Sequence, residues 1–236
     1  KKLIKTALVS KNLAELNLAG CDSLNLREED IPESLPDTLK ILILENIEKD
    51  NAPLSKFFIS ALASKNLAEL NLGGCDLSNL REEDIPKSLP DTLKILIFTN
   101  IEKDNAPPSK FFSSALASKN LAELNLEGCD LSNLREDDIP ESLPDTLKIL
   151  DLSKAKKIPL KLITSALVSK GIKQLDLEGC DLSVLTNNNP MLAKDYYIPI
   201  LFSDTLEQLY LNEATNIPFK LILMAKEKNK LQIHTR

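Results

Sequence analysis

One ten-residue stretch constrains this chain more than any other feature. LAELNLAGCD begins at Leu13 and returns as LAELNLGGCD from Leu67, LAELNLEGCD from Leu121 and IKQLDLEGCD from Ile172, at spacings of 54, 54 and 51 residues. A long fixed period means stacked units, each burying its apolar face only against its neighbours. Between these copies runs a second series: LKILILENI from Leu39, LKILIFTNI from Leu93, LKILDLSKA from Leu147 and LEQLYLNEA from Leu206. Each unit therefore holds two repeats. We call them the Cys half and the Lys-Ile half and number their positions from the first leucine.

Position by position, both series read L-x-x-L-x-L, Ile172 and Phe98 apart, with an apolar ninth residue, which is cysteine in the Cys halves. This pattern resembles the leucine-rich repeat along the whole chain. The resemblance implies an α/β fold, a right-handed horseshoe solenoid with about eight parallel strands on the concave face and helices or proline turns on the convex face. Residues 1–236 are expected to form one solenoid, with a partial unit over 1–12 and full units over 13–66, 67–120, 121–171 and 172–236. Period-two alternation points positions four and six inward and positions three, five and seven outward. The terminal LQIHTR is a candidate further strand.

The halves differ behind the strand. NAPLSKFFISALASKN (51–66) and NAPPSKFFSSALASKN (105–120) place apolar residues at helical spacing, with Asn and Pro53 or Pro107 read as the helix start. These halves are similar to the ribonuclease-inhibitor type of leucine-rich repeat. The Cys halves end IPESLPDTL (31–39), IPKSLPDTL (85–93) and IPESLPDTL (139–147), whose closely spaced prolines leave room only for a helical turn and an extended piece. That pattern resembles the bacterial type found in effector proteins delivered into host cells. The chain opens in mid-repeat without a capping unit, so it is expected to be a piece of a longer one.

The four cysteines, Cys21, Cys75, Cys129 and Cys180, all stand at position nine, two strands or about 10 Å apart. That is too far for disulfides and points to free, buried thiols, with no metal site. Free thiols favour a reducing, cytosolic compartment. A net charge of −6 argues against nucleic acid and anionic membrane as partners. No cofactor motif is present. The lone His234 lies three residues from the C-terminus, where a catalytic role is not expected. Acidic runs such as REED (27–30) read as solvated loops.

What remains is the outward face. Ile41, Ile43, Ile95, Ile97 and Ile149 give it apolar rungs, and Glu127, Asp151, Asp176 and Glu178 give it charge. In the diverged last unit Tyr210 joins them, beside an eight-residue enlargement carrying Tyr196 and Tyr197. These residues are the expected protein-binding site. The implied function is non-enzymatic binding of a protein with a basic or mixed basic and apolar surface, an enzyme whose cleft is occluded being the favoured case. The bearer would be an effector or effector regulator, monomeric when free, acting in a cytosol or delivered into a host cell. The alternative is the substrate-targeting part of a larger enzyme such as an effector ubiquitin ligase.

Overall fold

The structure, a computed structural model, describes residues 2–21, 26–47, 53–185, 203–228 and 231–235. Within them run nine three-residue strands, β1 (Glu15–Asn17), β2 (Ile41–Ile43), β3 (Glu69–Asn71), β4 (Ile95–Ile97), β5 (Glu123–Asn125), β6 (Ile149–Asp151), β7 (Gln174–Asp176), β8 (Gln208–Tyr210) and β9 (Gln232–His234). They form a single open parallel sheet in strict chain order, a solenoid-like arrangement. The pairing keeps positions three, four and five of every repeat in line, as in Glu15 with Ile41 and Ile41 with Glu69. The terminal LQIHTR supplies the ninth strand, paired to β8 through Tyr210 and His234.

The core follows from the leucines. Leu42, Leu44, Leu70, Leu72, Leu96, Leu150 and Leu152, at positions four and six, are fully buried. Helices α1 (Lys2–Leu8), α2 (Leu54–Leu62), α3 (Ser109–Leu116), α4 (Leu160–Val168) and α5 (Phe219–Lys226) follow the Lys-Ile strands or precede the first Cys strand. Their apolar stripes join the leucines in one continuous core. Phe98 takes a position-six leucine's place and lies 4.8 Å from Phe111 and 5.8 Å from Phe112, ring centre to ring centre, which locks strand to helix.

The Cys halves return by 3-10 turns, Glu28–Asp30, Glu82–Asp84 and Glu136–Asp138, followed by extended Ile-Pro segments. Proline removes a donor but leaves its carbonyl, and serines of the adjoining helices supply the missing donors. Ser60 Oγ donates to the Pro32 carbonyl at 2.5 Å, Ser165 Oγ to that of Pro140 at 2.9 Å, and Ser114 Oγ to that of Pro86. Helical and proline-turn halves thus alternate because each completes the other's hydrogen bonding.

Two expectations need correction. Pro107 does not open the helix. Asn105 ends a 3-10 turn, Lys103–Asn105, and α3 starts after Pro108 with no side-chain cap. The acidic runs are solvated as expected, but they form 3-10 turns rather than loops. Arg81 pairs with Asp84 at 2.9 Å and Arg135 with Asp138 at 2.6 Å inside the turn. Glu136 Oε2 also accepts the Lys161 N–H of α4 at 3.0 Å, and Ser109 Oγ at the start of α3 donates to Asp138 at 2.6 Å. Among the described residues no helix is long and apolar enough to cross a membrane.

Candidate binding face

The strands end after three residues for a reason written at position five. In the Cys halves this is Asn17, Asn71, Asn125 or Asp176, and its side-chain oxygen accepts the N–H of position seven at 2.9 Å in every copy. That N–H would otherwise form the next rung to the preceding strand. The Leu44 carbonyl, left without Gly73 N–H, is taken instead by the Cys75 thiol at 2.8 Å. Cys129 serves the Phe98 carbonyl at 2.7 Å and Cys180 the Leu152 carbonyl at 2.9 Å. An outward Asn or Asp at position five and an inward Cys at position nine are thus two parts of one device. Burial pushes the Cys75 thiol up to about 11 and those of Cys129 and Cys180 up to about 12, so all three stay protonated. Cys21 departs from the expected buried set. It is half-buried, and no described carbonyl accepts its thiol.

Position eight turns the chain off the sheet in the left-handed region, at φ +55° to +69°. Glycine fills it in the Cys halves, and Asn46, Asn100, Lys154 and Glu213 fill it in the Lys-Ile halves. A Cβ on Gly128 would stand 2.4 Å from Asn100 Oδ1 and displace that side chain, and the φ of +69° favours glycine there.

This framework leaves one face of the sheet outward. Along position three it presents Glu15, Ile41, Glu69, Ile95, Glu123, Ile149, Gln174, Gln208 and Gln232. Along position five it presents Asn17, Ile43, Asn71, Ile97, Asn125, Asp151, Asp176, Tyr210 and His234. The five isoleucines are half-buried, and each lies between Glu, Gln or Asn rungs rather than beside another Ile rung. They form separate apolar stripes, not a continuous patch.

From β6 onward the face changes. Asp151 and Asp176 are direct partners across β6 and β7, and Tyr210 and His234 continue the row. Glu127 forms an ion pair with Lys154 at 2.8 Å, and Glu178 accepts a hydrogen bond from Asn212 at 3.0 Å. The Asp176 carboxyl lies above its ordinary range, first because it is half-buried and then because Asp151, Glu178 and Glu127 surround it. The Tyr210 ring stacks on His234 with centroids 4.2 Å apart and planes 9° from parallel, and its hydroxyl donates to Gln208 Oε1 at 2.9 Å.

The structure therefore brings Glu127, Asp151, Asp176, Glu178 and Tyr210 to one end of one face and spreads the five isoleucines along it. Tyr196 and Tyr197 lie outside the described residues. The sequence reading missed His234. The signal was there: in LQIHTR an inward Ile233 at position four puts His234 at position five. Family models, curated proteins and solved structures compared with this chain give no match to it.

Proposed function

We propose that this chain is a leucine-rich-repeat solenoid, a horseshoe with its sheet on the concave side, that binds another protein and carries out no catalysis of its own. The observation behind this reading is the outward face: nine aligned strands whose position-three and position-five side chains are half-buried or exposed, with every described helix in the core behind them. Such a face, apolar in stripes and acidic at one end, suits a partner with a basic and apolar surface. The Ile-Pro-x-x-Leu-Pro returns support assigning the chain to bacterial effectors, or their regulators, that work in a host cytosol. Occlusion of a partner enzyme is the mechanism we favour.

The test is capture from a cytosolic extract, with mass spectrometry of what is retained. A specific partner should be held by the wild type and by Glu83→Arg, which changes an exposed 3-10 turn on the return side. It should be lost by the double variant Asp151→Arg/Asp176→Arg. Retention by the double variant would overturn the face assignment.

A further inference from the structure

We propose that the β6–β9 end of the outward face is a receptor for an arginine side chain of the partner, seated between the paired carboxylates of Asp151 and Asp176 and the ring of Tyr210. This rests on the reading above and specifies its chemistry.

The first observation is an inventory of cations. Lys154 is bound to Glu127, and Glu178 and Glu213 add to the field that holds its proton. Among the described residues Asp151 and Asp176 have no ion-pair partner, although they face each other on neighbouring strands.

The second concerns what the fold requires. Asn17, Asn71 and Asn125 make the position-five bond with a neutral oxygen at the same length as Asp176. That bond does not require a carboxylate at Asp176, and burial and the neighbouring acids raise the carboxyl's pKa. A charge that the fold neither needs nor neutralises is placed for something that arrives.

The third is geometric. Asp151 uses Oδ1 for the N–H and Oγ of Ser153, at 2.8 and 2.7 Å, and Asp176 uses Oδ1 for the N–H of Glu178. Each carboxylate is thereby oriented, and no described partner occupies Oδ2 of either. One rung further on, Tyr210 is braced by His234 on one ring face and held through its hydroxyl by Gln208. On the opposite side from His234, its register partner in the row is Asp176. A carboxylate pair beside a fixed aromatic plane suits a planar cation with in-plane donors. Guanidinium meets both demands, and a compact ammonium meets only the charge.

The test titrates isotope-labelled full chain by NMR with three peptides, acetyl-Gly-Arg-Gly-amide and its lysine and citrulline counterparts. The arginine peptide should give saturable shifts confined to β6–β9 and bind roughly tenfold tighter than the lysine peptide, with no saturable shift from neutral citrulline. Asp176→Asn, which keeps the position-five bond, should weaken the arginine peptide about fivefold or more. Tyr210→Leu should bring arginine and lysine to within about twofold of each other. Equal affinity for arginine and lysine, no effect of Asp176→Asn, or no saturable shift at all would each overturn the receptor. If the peptides fail while a captured partner is still lost on Asp151→Arg/Asp176→Arg, the arginine site is wrong and the binding face stands. If that partner is retained, the face itself is wrong.

Discussion

The two ends of the sheet are built alike and furnished differently. Over β1–β5 the position-five row alternates Asn17, Ile43, Asn71, Ile97 and Asn125, and over β6–β9 it reads Asp151, Asp176, Tyr210 and His234. In the Cys halves the supporting chemistry does not change along the way. Asn71 and Asp176 accept the same N–H at the same 2.9 Å, and Cys75 and Cys180 fill the vacated carbonyls in the same manner. The comparison separates what the fold demands from what it permits. An oxygen at position five is demanded in the Cys halves, whereas a charge there, or a ring on β8 and β9, is not.

The largest effect should come from the shared interior. Cys129→Asp places a carboxylate among fully buried neighbours and removes the donor to the Phe98 carbonyl, and should cost about 3 kcal/mol or more in chemical denaturation. Cys21→Asp should cost under about 1 kcal/mol, because Cys21 is half-buried and its thiol bonds to no described carbonyl. Equal losses at the two sites would mean that the thiol-to-carbonyl bond has no part in joining the repeats.

A smaller effect distinguishes the outward ends. The native Asp176 holds its proton to a higher pH than an unfolded aspartate, near 4. The native state therefore binds more protons than the unfolded one between those two values, and stability falls as pH rises through that window. Above the window the loss is constant. Asp176→Asn removes it and keeps the position-five bond, so the variant should melt above the wild type at neutral pH, the gap closing as pH falls toward 4. Asn125→Asp should do the reverse, lowering the melt at neutral pH. A gap for Asp176→Asn that ignores pH would show that the carboxylate is not strained by its surroundings.

Much of this was legible in the residues. The period, the inward leucines at positions four and six, the register of the rows and the helical or proline character of each return all follow from spacing alone. The turn-forming Glu82–Asp84 and Glu136–Asp138 segments were not legible, because a solvated charged run looks irregular until Arg81, Arg135, Ser109 and the Lys161 N–H of α4 are seen to use it. The link between Asn at position five and Cys at position nine was hidden for a similar reason. It passes through a carbonyl 31 residues away from Cys75, just past the end of the preceding strand. His234 was set aside as a terminal residue, and pairing of β9 with β8 puts its ring on Tyr210. The isoleucines were read correctly as outward, but register separates them with acids and amides, so they make stripes.

The most direct test of a division of labour along the face compares Asp176→Arg with Asn71→Arg by calorimetric titration of a captured partner. Both changes remove the same position-five bond and add the same side chain on the same face, one at each end. Binding through the β6–β9 end predicts a loss of about 2 kcal/mol, roughly 30-fold, for Asp176→Arg and under about 0.5 kcal/mol for Asn71→Arg. Equal losses, or an unchanged affinity for Asp176→Arg, would contradict it.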